Sequence, residues 1–338
     1  MKISVIFPVY NVEKFVYKSF LSLINQDYND YEIIIINDAT QDNSLNIINE
    51  IIKTTRHLNI VLFEQAVNKG LSAARNKGIE LSSGDYIFFM DSDDIITKDC
   101  LSTLAEEIDN NRFDIVLGEH SILLENKSLV HKPLSANGAF IGNEIILSKY
   151  LNNYWPLVAW NKLLNRNFIL DNKLFFKDGI LHEDVLWTFM LALKADSMYI
   201  INKSTYYYVK RDNSITSSYN KKNFEGEMLG ILEMLDISIQ YENIEIYSYI
   251  LDSYFVDIKK ALLNNIDKIL IINYRKEIKP FYLPLILKYL LNKDITRVCF
   301  VLSLLLPYWL LSPYMHLLNI ASLLFKTNFM LNKNCKAI

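Results

Sequence analysis

"EIIIIND", residues 32–38, runs four isoleucines together and closes on Asn37 and Asp38. A strand buried on one face alternates apolar and polar side chains, whereas an unbroken β-branched run suits a parallel strand covered on both faces. Outward along the chain the same shape recurs in "ISVIFPV" (3–9), "NIVLFE" (59–64) and "YIFFMD" (86–91). The segments between have helical spacing. Val12, Phe15, Val16, Phe20, Leu23 and Ile24 fall on one stripe, and Leu45, Ile48, Ile51 and Ile52 on another. This alternation predicts an α/β fold with a doubly wound sheet. Ligands of such sheets bind beyond the carboxyl ends of the strands. Tyr10, Asn11, Asp38, Glu64 and Asp91 to Asp94 occupy those ends.

The chain's 338 residues suffice for one large or two ordinary domains, and an apolar fraction of 51% supplies a sizeable core and argues against disorder. A formal charge of -3 gives no basic field to attract nucleic acid, which is not an expected partner. Cys100, Cys299 and Cys335 are odd in number and widely spaced, which fits a reducing cytosol better than a disulfide scaffold. "MKISVIFPVYNVEKF" reads as a first strand rather than a secretory signal, because Pro8, Asn11 and Glu13 interrupt its apolar run.

"FDIVLGEH" (113–120) predicts another strand, and "LHEDVLWTFMLALKA" (181–195) a helix with Val185, Phe189 and Leu193 on one face. "MYIINKSTYYYVKRDNSITSS" predicts a strand running into a basic loop. Beyond about residue 220 the pattern is mostly helical. From Val298 to Phe325 there is no Lys, Arg, Asp or Glu, yet Pro307 and Pro313 divide the stretch, and Lys326, Lys333 and Lys336 follow it. A spanning helix needs about 20 apolar residues. The prolines, with Tyr308, Trp309 and Tyr314 at the break, predict a segment that lies on or re-enters the cytoplasmic face of a membrane. A buried helical core or an oligomer contact is the other reading.

"DSDD" (91–94) crowds three carboxylates at the exit of an apolar strand. In an extended segment Asp91 and Asp93 point the same way. Their mutual repulsion is relieved by a hard divalent cation such as Mg²⁺ or Mn²⁺, which prefers carboxylate oxygens and substrate phosphates. Read alone, the same four residues serve equally as a solvated turn in which Ser92 or Asp94 caps a helix over Ile95 to Ala105.

Taken together, "SVIFPVYNVEKFVYKSFLSLINQDYNDYEIIIINDATQDNS" and "NKGLSAARNKGIELSSGDYIFFMDSDD" resemble the opening blocks of family 2 glycosyltransferases. "AWNKLLNRNFI", "HEDVLWTF" and "YYYVKRDNSIT" are similar to later blocks in the same order. The resemblance covers roughly residues 3–216 and leaves out the C-terminal third. It implies a GT-A nucleotide-sugar-binding domain over 1–218, followed by a helical region over 219–338 with its membrane-associating segment near 298–325.

The resemblance also implies roles. Pro8, Tyr10 and Glu13 border the nucleotide of a UDP-sugar donor, and Asp38 accepts from the uracil N–H, its other reading being an acid that caps a turn. The family commonly carries two acids followed by Gly-Ser there, so Asn37 and Ala39 depart from its pattern. Asn68, Gly70 and Arg75 lie on the donor side with Ser92, and Lys210 and Arg211 on a loop able to close over the diphosphate. Asp91 and Asp93 hold Mn²⁺ or Mg²⁺. Asp184 is the base that deprotonates an acceptor hydroxyl, with Glu183, His182, Trp160 and Lys162 near the acceptor, although Trp160 serves equally as core. One base and an in-line attack imply inversion at the anomeric carbon. The Gln-x-x-Arg-Trp signature of processive synthases does not occur, which suits single-sugar addition, and the apolar tail suits a lipid-linked glycan acceptor of surface-polysaccharide assembly. A nucleotidyltransferase would carry a glycine-rich loop after strand one, where "PVYNVEKF" has none. A catalytically inactive scaffold is the remaining alternative, and the joint presence of Asp38, Asp91, Asp93 and Asp184 weighs against it.

Overall fold

A computed structural model of the chain describes residues 1–55, 59–108, 112–210, 219–241 and 243–282, with positions 286, 290 and 302 beyond them. Two compact units are present. One holds residues 1–150, 154–179 and 183–217, the other 151–153, 180–182 and 218–338.

The first unit runs β1 (Ile3–Val9), α1 (Val16–Ile24), β2 (Tyr31–Asn37), α2 (Ser44–Thr54), β3 (Asn59–Glu64), α3 (Leu71–Leu81), β4 (Tyr86–Phe89) and β5 (Ile95–Ile96). It continues with α4 (Cys100–Glu106), β6 (Ile115–Leu123), β7 (Leu129–Lys132), β8 (Gly138–Ile141), α5 (Asn143–Leu151), β9 (Lys162–Asn165), α6 (Arg166–Asp171), α7 (Glu183–Lys194) and β10 (Ser197–Val209). Among the described residues the strands form one ten-stranded sheet in the order β3-β2-β1-β4-β9-β6-β10-β5, with β7 on β6 and β8 on β10.

The four runs read from sequence are the parallel half of that sheet: β1 pairs in parallel with β2 and β4, and β2 with β3. Every residue of β1 and β2 is buried, as unbroken apolarity requires, while the edge strand β3 is largely open. Glu32, the acid that begins "EIIIIND", is also buried. It receives Lys2 Nζ at 2.6 Å, Ser4 Oγ at 2.6 Å and the Ser83 N–H at 2.8 Å. Burial raises its carboxyl, but these bonds outweigh it and leave the net direction downward. The helix α3 seats closely on β1 because position 78 is glycine: a Cβ there would stand 2.3 Å from Ile6 Cγ2.

The helix expected over Ile95 to Ala105 is shorter than its pattern suggested. Ile95 and Ile96 form β5 against Tyr207 and Tyr206 of β10, and Thr97 N donates to Thr205 O at 3.0 Å. Those pairings engage the backbone of the first turn, so helix α4 starts only at Cys100.

The second unit contains α8 (Lys221–Ser238), α9 (Ile244–Leu263) and α10 (Lys268–Ile278). Each start is capped. Asn220 and Asn223 make a reciprocal box, Asn243 accepts from Glu245 N and Ile246 N, and Asp267 accepts from Ile269 N and Leu270 N. Of the stretch 298–325, only Leu302 is among the described residues, so the membrane expectation for it lies outside them. Among the described residues no helix is long and apolar enough to cross a membrane.

Candidate functional site

The sheet delivers its acids at strand ends, and β4 delivers the most. After Phe89 the chain turns, Asp94 N donating to Asp91 O at 3.2 Å, and one carboxylate oxygen each of Asp91, Asp93 and Asp94 come within 4.8 Å of one another. Asp91 and Asp93 are partly open, whereas Asp94 is 1% exposed. Tyr206 Oη donates to one Asp94 oxygen at 2.8 Å and Val209 N to the other at 2.8 Å. Burial, then the charges of Asp93 and Asp91, push the Asp94 carboxyl well above the usual range despite those two bonds. An all-oxygen set with two accessible carboxylates fits a hard divalent cation.

Arg75, on α3, joins this turn to the start of α7. One guanidinium nitrogen lies 2.7 Å from Asp91 Oδ1 and the other 2.7 Å from Glu183 Oε1. The guanidinium is 2% exposed and sits 5.3 Å from the Phe176 ring centre. Burial opposes its charge, but Asp91, Glu183 and Asp184 more than offset that, so its pKa moves upward. Phe176 stacks on Trp187 of α7 at 4.3 Å, and Phe89 meets Trp187 edge-on at 5.5 Å, which packs the end of β4 against α7.

Asp184 follows Glu183 in the first turn of α7. Burial first, and then the charge of Glu183, push its carboxyl up to about 7, while Arg75 and Lys162 pull it down. Lys162 is fully buried, donates to Val158 O, and has its amine pulled down to about 7 chiefly by burial. Trp160 is 6% exposed, with one ring face stacked on Tyr206 at 4.3 Å and 9° and its plane met edge-on by His120 at 5.1 Å. The ring is therefore packed against β10, as the core reading of Trp160 has it.

Asp38, at the end of β2, is 3% exposed and already well supplied with donors. It accepts from Lys69 N at 2.7 Å, Gly70 N at 2.9 Å and Gln65 Nε2 at 3.0 Å. The anion at the start of α3 is thus the chain's own aspartate. Gly70 precedes the helix at φ 89°, a conformation that favours glycine, while Asn68 is exposed. Pro8 is buried in β1 beyond the last β4 pairing, Ile6 with Phe89, where its lack of an N–H leaves no gap in the ladder. Tyr10 is 45% exposed, and Glu13 accepts from Asn43 N at 3.1 Å.

Ser92 is buried within the acidic turn. Lys210 is exposed, its N–H on Leu123 O at 3.0 Å, and Arg211 lies outside the described residues. His182 belongs to the second unit, where it adopts φ 61° and its Nε2 lies 3.3 Å from Asn223 Nδ2. Through Arg75 the structure gathers Asp91, Glu183 and Asp184 with the rest of the acidic turn, and places Asp38 two strands away, at the end of β2. Sequence reasoning missed Tyr206 and Gln65. The signal for Tyr206 was a run of tyrosines, "YYY", entering the basic loop; Gln65 left none.

The profile described as Glycosyl transferase family 2 matches residues 4–168. A glycosyltransferase of Haemophilus influenzae, itself uncharacterized, is 31% identical over 257 residues, which are 71% of this chain and 94% of that protein. The poly(ribitol-phosphate) beta-glucosyltransferase of Bacillus spizizenii is 33% identical over 245 residues, 70% of this chain and 37% of that protein. Against several other curated relatives the chain spans between 32% and 65% of their length. The crystal structure of S. aureus TarS 1-349 in complex with UDP-GlcNAc superposes with a TM-score of 0.68 at 23% identity, covering 89% of this chain and 90% of that one. The fold is the expected GT-A arrangement, and the chain belongs to glycosyl transferase family 2.

Proposed function

We propose that the chain is an inverting, metal-dependent glycosyltransferase that moves one hexosyl or N-acetylhexosaminyl group from a UDP-sugar to a hydroxyl of a glycan acceptor, carried on a lipid, in surface-polysaccharide assembly. The observation that carries this is Arg75 held at 2.7 Å from both Asp91 and Glu183, which fixes the acidic turn beside the first turn of α7. The chemistry is assigned to residues 1–218. That S. aureus TarS was crystallised with UDP-GlcNAc supports a uridine donor, and the Bacillus spizizenii relative, named for poly(ribitol-phosphate), supports a polymeric acceptor.

Asp93 and Asp91 would hold Mg²⁺ or Mn²⁺, which when bound supplies Lewis-acid stabilisation of the departing diphosphate. Asp91 is aimed by its ion pair with Arg75. Asp184 removes the acceptor proton as attack proceeds, and a carboxyl raised toward neutrality is a stronger base than an ordinary aspartate. Glu183 is engaged by Arg75, which leaves the proton transfer to Asp184. Asp38 orders the turn assigned to the base, and Lys210 is assigned to the donor's diphosphate. The charge-free stretch 298–325 with its basic tail supports peripheral attachment at the cytoplasmic face of the membrane.

The test is UDP release from a panel of UDP-sugars, with Mn²⁺ and with a chelator. Metal-dependent release from at least one sugar is expected. Equal release under both conditions would remove the cation from the mechanism, and no release or binding of any nucleotide sugar would refute the transferase.

A further inference from the structure

We propose that Tyr206 is the positioning residue of the acidic turn: it holds Asp94 out of the cation's shell, so that Asp91 and Asp93 alone are presented. This rests on the metal-dependent chemistry proposed above. Three carboxylates within 4.8 Å repel one another, and a bare turn would splay to separate them. Among the groups that oppose splaying, Tyr206 reaches both ends of the turn. The Tyr206 hydroxyl donates to Asp94 Oδ2 at 2.8 Å and accepts from the Asp91 N–H at 3.2 Å, so one oxygen ties the first and last acids of the motif. The second Asp94 oxygen takes the Val209 N–H at 2.8 Å. Both Asp94 oxygens therefore point at β10, and the residue is 1% exposed, which leaves the open side of the turn to Asp91 and Asp93.

Tyr206 is itself tightly packed. It is fully buried, pairs with Ile96 on one side and His120 on the other, and stacks on Trp160 at 4.3 Å and 9°. This explains why Trp160 is packed rather than open: its face sets the plane of the ring that sets the turn. Lys210 follows Val209 directly, so the clasp on Asp94 and the start of the basic segment share one backbone. Groups that orient a metal ligand without touching the metal typically change its affinity by about 10- to 100-fold.

The experiment is titration calorimetry of the full chain with UDP, in Mn²⁺ and in chelator, for the native protein, Tyr206→Phe and Asp93→Ala. Tyr206→Phe keeps the stacked ring and removes only the hydroxyl. It is expected to weaken Mn²⁺-dependent UDP binding by about tenfold and to leave binding in chelator unchanged. Equal weakening in both conditions would mark a general lesion and overturn the proposal, as would native affinity in Tyr206→Phe alongside loss in Asp93→Ala. If Asp93→Ala also binds as the native protein does, the metal chemistry fails and this inference with it. Should Tyr206→Phe not fold, Asp94→Asn is expected to show the same Mn²⁺-selective loss, and native affinity there overturns the proposal.

Discussion

Arg75 and Glu183 stand 108 residues apart in the chain and form an ion pair at 2.7 Å in which neither side chain is more than 9% exposed. The other guanidinium nitrogen holds Asp91 at the same distance. Removing one member of a buried pair leaves the other charged and desolvated, which costs about 3–5 kcal/mol. Arg75→Met is therefore expected to lower stability by about 3 kcal/mol, read as the urea unfolding midpoint, because Glu183 is the buried partner left behind. Arg75→Lys recovers little, since a single ammonium cannot bridge two carboxylates as the planar fork does. A loss under about 1 kcal/mol in Arg75→Met would show that Glu183 finds another partner.

Asp184 gives a pH dependence whose sign differs for stability and for activity. Its carboxyl is raised from 3.8 to about 7, so the fold favours the protonated form. That contribution to stability is complete below about pH 4 and is lost as pH rises through about 7. In the proposed mechanism activity runs the other way, because only the carboxylate accepts the acceptor proton. Turnover is expected to climb between about pH 6 and 8 in the native protein, on either side of that value. Asp184→Asn should bind UDP normally and lose about 10²–10⁴-fold in transfer, which initial-rate measurements check. A variant that keeps most of its turnover and the same pH profile would place the base elsewhere.

Much of this was legible in the sequence where the physics is local. An isoleucine run must be covered on both sides, and β1, β2 and β4 followed from that alone. Acids at strand ends pointed to the turn at 91–94 for the same reason. What failed depended on partners far along the chain. Ile95 and Ile96 have helical company nearby, but their backbone pairs with Tyr206 and Tyr207, more than a hundred residues on. Trp160 read equally as core or as an acceptor contact, because nothing within its own segment shows Tyr206 lying on its face. The donors to Asp38 come from residues 65–70, and no local pattern links a strand-end acid to a turn that follows a different strand.

Ala39 offers a gain rather than a loss. It adopts φ 55°, a left-handed conformation that costs a side-chain-bearing residue about 1–2 kcal/mol. The family commonly has glycine at this point of its pattern. Ala39→Gly removes the strain but adds freedom to the unfolded chain, so a net stabilisation of about 0.5–1 kcal/mol is expected from the melting transition. A fall in stability would mean that the Ala39 methyl makes contacts worth more than the strain.

The charge-free stretch and its basic tail carry their own test. Without residues 298–338 the chain is expected to stay in the supernatant when mixed with anionic vesicles that pellet the full chain. Sedimentation of the truncated form with lipid would move the attachment to another part of the protein.

Asp38 separates two ways in which an acid can serve a nucleotide. Its two oxygens accept three internal donors, two of them backbone N–H groups of the turn before α3. Asp38→Asn replaces one accepting oxygen by an amide that faces the Gly70 or Lys69 N–H, leaving that group without a partner at a cost of about 1–3 kcal/mol. Stability and UDP affinity are therefore expected to fall together, the second because the turn that the proposed function sets beside the base loses its clasp. Urea unfolding and calorimetry on the same variant read the two quantities. Weaker UDP binding at native stability would show that Asp38 acts by touching the base directly, with its internal bonds incidental.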